Sequence, residues 1–160
     1  MGAVPGIPIG FCPAVPVMVP FALWFGVYGV MATYIGCLFG GLMKGFPATI
    51  AIPWTIADVI EAAIPLLAFR LLKADPALKT RRDWVVFLAF AWMINGLVSS
   101  LFGSVAPVWL GMWTWNAVFW IWIQYFACTL ALVGAITPAI LKTSTEFIKR
   151  TRAYVKGILK

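Results

Sequence analysis

Long apolar stretches alternate with short polar breaks along this chain, and the breaks divide it. No charged residue occurs between Met1 and Met43. Inside that stretch, residues 1–20 carry Pro5, Pro8, Pro13, Pro16 and Pro20. Each proline removes an amide donor and crowds the preceding turn, so this density predicts an extended or re-entrant lead-in over the bundle, not a helix. From 21 to 43 the apolar run is continuous and long enough for a membrane-spanning helix, which needs roughly 20 residues. Lys44, Gly45 and Pro47 close it. A second span is predicted over 48–72, carrying Pro53 and Pro65 and ending at Arg70 and Lys73. Lys73 to Asp83 (KADPALKTRRD) is the one hydrophilic internal loop. A third span follows over 84–104, a Trp-rich connector over 106–115, and a fourth span over 116–141. In the tail, 142–160, Phe147, Ile148, Thr151, Tyr154, Val155, Ile158 and Leu159 recur at helical spacing between Lys149, Arg150, Arg152, Lys156 and Lys160. That pattern predicts a basic amphipathic helix lying on the membrane interface.

The composition agrees: 63% of the residues are hydrophobic and 11% charged. So few polar side chains cannot cover the outside of a soluble domain. The fold class is therefore all-α, a polytopic integral membrane helical bundle of about four to five transmembrane helices with a C-terminal basic amphipathic helix. Residues 1–141 form one transmembrane unit and 142–160 the tail. Lys and Arg favour the cytoplasmic side, which places the 73–83 loop and the C-terminus in the cytoplasm of a multi-pass cell (plasma) membrane protein. The N-terminus is cytoplasmic with four spans and external if residues 1–20 cross as well.

Several chemistries are excluded. The chain has no His and only Cys12, Cys37 and Cys128 as cysteines, so no metal cluster, haem ligand pair or His-based triad is expected. Neither GxxxxGK[ST] nor GxGxxG occurs, and no cofactor is expected. The net charge of +7 fits anionic lipid headgroups of the bilayer rather than nucleic acid.

The candidate chemistry lies in PWTIADVIE, Pro53 to Glu61. Asp58 and Glu61 stand three apart and Thr55 three before Asp58, so all three project from one helical face well inside a span. Ionisable groups at that depth face the bundle interior or a wet cavity. The pair suits a proton or cation site, or the binding of an amine. Two roles fit: a ligand site, or structural hydrogen bonding to Asn95, Ser99, Asn116 or Gln124. Asn95, Asn116 and Gln124 complete the candidate ligand-binding set as possible cavity-lining groups, and Pro53 would let the helix open near the acids. Arg70, near the end of its span, is explained by snorkelling to headgroups. No catalytic residue is assigned.

Gly29, Thr33, Gly36, Cys37 and Gly40 form a stripe of small residues that lets another helix approach closely, either within the bundle or from a partner subunit. Trp109, Trp113, Trp115, Phe119, Trp120, Trp122, Tyr125 and Phe126 fit an interfacial aromatic belt, with a cage for a cationic ligand as the alternative.

Two families share features with this pattern. Glu61, then Leu66, Leu67 and Arg70, then a basic loop ending in Arg82 and Asp83, resembles the membrane-associated sensor domain of bacterial histidine kinases and diguanylate cyclases. The Pro/Gly-rich lead-in and the glycine-rich run from Phe21 to Gly41 resemble the substrate-binding S component of energy-coupling-factor vitamin transporters. That second resemblance implies a small, non-enzymatic, ligand-binding membrane subunit that docks to a coupling subunit with an ATPase, through Gly29, Gly36 and Gly40. The expected function is accordingly binding of a small ligand or cation for transport. The alternative is a structural or sensory accessory subunit of a larger membrane complex.

Overall fold

The computed structural model describes residues 14–158, which are helical and contain no strand. The chain is an all-α membrane bundle. Three helical runs are long and apolar enough to cross a bilayer, Ala48–Leu71, Arg81–Trp109 and Trp115–Lys149, and two shorter apolar helices precede them.

The first helix, α1, spans Val15–Phe25. It begins inside the proline-rich lead-in and corrects the expectation of a non-helical segment there; residues 1–13 lie outside the described residues. Pro16 sits in the first turn, where no intrahelical amide donor is required. Pro20 does lie within the helix and leaves the carbonyl of Pro16 without its usual donor. The Thr137 hydroxyl donates to that carbonyl at 2.9 Å. One turn before the bundle's end, Trp24 Nε1 donates to Thr145 Oγ1 at 2.9 Å. Both bonds have the same sequence offset, so α1 runs parallel to the final helix and packs at its centre, with Val19, Ala22 and Leu23 fully buried.

The span expected over 21–43 is broken at Gly26, whose φ of 60° is a conformation suited to glycine. The chain reverses there into α2, Val27–Met43, which packs back along α1. The approach is so close that a Cβ on Gly29 would stand 2.1 Å from the carbonyl oxygen of Phe21. The next run is divided at Thr55 into α3, Ala48–Trp54, and α4, Ile56–Leu71. The third starts at Arg81 under a capping box made by Thr80 and Asp83 (α5, Arg81–Val86). It passes through a π-helical stretch, Phe87–Ile94, into α6, Asn95–Trp109, and so extends five residues past the expected end at 104. The last helix, α7, spans Trp115–Lys149.

The tail differs from the amphipathic helix expected over 142–160. Residues 142–149 continue α7, and 150–158 run as turns and bends. The cause is the break at Gly26, which leaves backbone groups open. Val155 N–H donates to Trp24 O at 2.9 Å, and Val27 N–H donates to Ile158 O at 3.1 Å. Arg70 completes the closure: its guanidinium donates to Leu23 O at 2.9 Å, to Lys156 O at 2.8 Å and to Val155 O, and lies over the Tyr154 ring. Buried backbone groups without partners are costly, so a helix broken in the bundle is tolerated only where neighbours satisfy it. The same end of the bundle is pinned by Lys149, which binds both carboxylate oxygens of Asp75 at 2.7 and 2.8 Å, and by Glu146, 2.8 Å from Lys79.

A candidate buried acidic site

The site is built on α4 where it crosses α6. The two helices are antiparallel, because the run Arg81–Trp109 returns along α4 after the 72–80 turn; Trp54 Nε1 donates to Gly103 O at 3.2 Å, and a Cβ on Gly103 would lie 3.8 Å from Ala57 Cβ. One turn along from Ala57, this register sets Glu61 at the level of Ser99. Glu61 is ten residues before Leu71, about 15 Å from that end of the helix at 1.5 Å per residue.

Glu61 is 5% exposed, and its Oε1 is buried without a hydrogen-bond partner. Asp58 is close enough for the two charges to act on one another. Its carboxylate accepts a hydrogen bond from the side chain of Cys37 on α2, a residue the sequence placed only in the small-residue stripe. Which residue of α2 meets α4 depends on the reversal at Gly26, and no local pattern signals it.

The donors that could have neutralised the pair structurally are turned elsewhere. Thr55 Oγ1 donates to Ala51 O at 2.6 Å, Ser99 Oγ to Asn95 O at 2.8 Å, and Ser100 Oγ to Leu97 O at 3.2 Å. Asn95 is fully buried where the π-helical stretch meets α6; its Nδ2 donates to Ala91 O at 3.3 Å, and its Oδ1 has no partner. Asn116 and Gln124 are exposed and lie outside this cluster, a correction to the expected set. The buried face of α7 follows Ile121, Thr129, Val133, Thr137, Leu141 and Thr145, to which neither belongs.

The charges sharpen the contrast. Asp75 and Glu146 are ion-paired, and Asp83 accepts from the backbone N–H groups of Asp75 and Thr80. Asp58 and Glu61 are the acids for which no cation is supplied among the described residues. Arg70, on the same helix, is engaged by backbone carbonyls. Among the described residues no three His, Cys, Asp or Glu side chains gather as a metal site. An acid pair with an unpartnered carboxylate oxygen can accept a proton, a single small cation or an ammonium group.

The small-residue stripe is divided by the fold. Gly29 is used inside the bundle, whereas Cβ atoms added at Gly36 or Gly40 would meet nothing within 4 Å. Of the aromatic group, Trp109, Trp115, Phe119 and Trp120 are exposed, and Trp113 packs edge-on against Trp54 with ring centroids 5.9 Å apart.

Fold and site together define a helical membrane protein with a buried Glu61 and a half-buried Asp58 for which no cation is supplied among the described residues. Compared with known proteins, the chain matches no family model, no curated protein and no solved structure.

Proposed function

We propose that this chain is a non-enzymatic membrane subunit that binds a small cation or cationic ligand for transport, with Asp58 and Glu61 as the binding carboxylates and Asn95 Oδ1 as a neutral acceptor. One observation carries the reading: Glu61 is buried, its Oε1 lacks a partner, and the nearby hydroxyls donate to backbone carbonyls instead. A carboxylate serving only as interhelical glue would accept from them. Two like charges three residues apart repel, and a cation between them relieves that repulsion. The basic end, with the tail, faces the cytoplasm under this proposal, because Lys and Arg favour that side.

The resemblance to S components supports a transport role with a partner coupling subunit, and the open face at Gly36 and Gly40 would receive that partner. The test uses the full chain in liposomes, with sodium, potassium and methylammonium as probes of binding and uptake. Asp58→Asn and Glu61→Gln should each abolish binding while the protein stays folded; retention in both places the site elsewhere.

A second reading, an accessory or sensory subunit of a larger membrane complex, is favoured by the same open face, since nothing among the described residues covers it. Native purification separates the two. Association with an ATPase supports the transporter, and stoichiometric recovery with a multisubunit enzyme supports the accessory subunit.

A further inference from the structure

A groove of about 380 Å³ runs along the outside of the bundle where α1, α2 and the tail meet. Its apolar wall is formed by Phe21, Phe25, Tyr28 and Ala32, and its far end by Val155 and Arg152 of the tail. Phe21 and Tyr28 remain 39% and 58% exposed. Because α1 ends and α2 begins at Gly26, beside the tail, the groove leads from the basic end of the bundle inward along the helices towards Ala32.

Arg152 is exposed and forms no hydrogen bond or ion pair among the described residues. Its neighbours Arg150 and Lys156 are exposed as well, Asp75 and Glu146 are already paired with Lys79 and Lys149, and Asp83 is held by backbone N–H groups. The groove thus has a cationic end that no acid among the described residues neutralises, and an apolar wall extending towards the middle of the bilayer. The phenol of Tyr28 lies near the cationic end, at the depth where tyrosine favours the membrane interface.

We infer that this groove is a binding site for one anionic phospholipid, its phosphate held by Arg152 and Tyr28 and an acyl chain lying along Phe21, Phe25 and Ala32. A planar guanidinium matches phosphate oxygens in geometry and charge. An apolar wall beside it is satisfied by a hydrocarbon chain and not by a free anion. The lipid would also brace the tail segment whose backbone closes the break at Gly26. The inference is independent of the acidic site and of its proposed function.

Native mass spectrometry of the purified full chain, titrated with phosphatidylglycerol or phosphatidylcholine, tests it. Phosphatidylglycerol should bind about fivefold more tightly, because both lipids offer a phosphate to Arg152 but only phosphatidylglycerol leaves its negative charge uncompensated. Arg152→Gln should bring it down to the level of phosphatidylcholine. Arg81→Gln, at an exposed position at the same end of the bundle, should leave the preference unchanged. Ala32→Trp, which fills the wall from an exposed position, should weaken both lipids. Excess inorganic phosphate should not displace the lipid. The site is overturned if the two lipids bind the wild type equally, if Arg81→Gln lowers the preference as much as Arg152→Gln, or if inorganic phosphate competes.

Discussion

Glu61→Gln separates a binding carboxylate from a structural one by the sign of its effect. On insertion scales a charged side chain at the centre of a spanning helix costs about 2.5–3.5 kcal/mol. A neutral amide buried there without partners costs about 1–3 kcal/mol. In ion-free protein the exchange therefore relieves about 1 kcal/mol, because Glu61 Oε1 has no hydrogen bond to lose. For a chain of this size that corresponds to a rise of about 2–4 °C in the thermal midpoint.

A cation that binds the folded state alone adds about 2.7 kcal/mol at a hundred times its dissociation constant, or about 5–10 °C in the wild type. Glu61→Gln should abolish this increment. The assay is the thermal unfolding midpoint of detergent-solubilised protein, with and without sodium, potassium or methylammonium. If Glu61→Gln lowers the ion-free midpoint, Glu61 has a structural partner; if the cation increment survives the substitution, Glu61 is not a ligand. Either result refutes the reasoning.

The remaining predictions concern the framework around the site. Arg70→Lys keeps the charge but loses the fork that reaches Leu23, Val155 and Lys156, and should cost about 2 kcal/mol and expose the tail to limited proteolysis. Gly29→Ala drives a methyl into the Phe21 carbonyl and should cost about 3 kcal/mol in chemical unfolding, whereas Gly36→Ala, in open space on the same helix, should be neutral or stabilise by up to about 1 kcal/mol. Thr137→Val keeps the shape and leaves Pro16 O without a donor, for a loss of about 1–3 kcal/mol in the same measurement.

The long helices were legible because hydrophobic length is a local property: the runs beginning at Ala48 and Arg81 fall where charges and prolines mark them, and the run beginning at Trp115 follows the Trp-rich connector. The acid pair was legible for the same reason, since Asp58 and Glu61 interrupt an apolar run. What escaped the sequence is what distant residues supply. The proline argument against a helix before Pro20 failed because the donor that Pro20 denies to Pro16 O is replaced by Thr137, 121 residues away. The helical spacing of the tail is real, yet Val155 and Ile158 are drawn into backbone bonds with the opened turn at Gly26. Asn116 and Gln124 share a helix with buried threonines but are themselves exposed, and helical spacing alone does not reveal which side of α7 the bundle covers.

The exceptions to local reasoning therefore have a common cause. Inside a bilayer each freed backbone group must find a protein partner, because no water stands ready to accept it. At Pro16, Trp24 and Val27 the chain provides one, from Thr137, Val155 and Ile158. At these three positions the fold closes a backbone defect with a distant segment, while side-chain atoms of Glu61, Arg70, Asn95 and Trp122 stay buried without a partner. Of these open atoms only Glu61 Oε1 belongs to an acid, so it is the one that the proposed cation would satisfy.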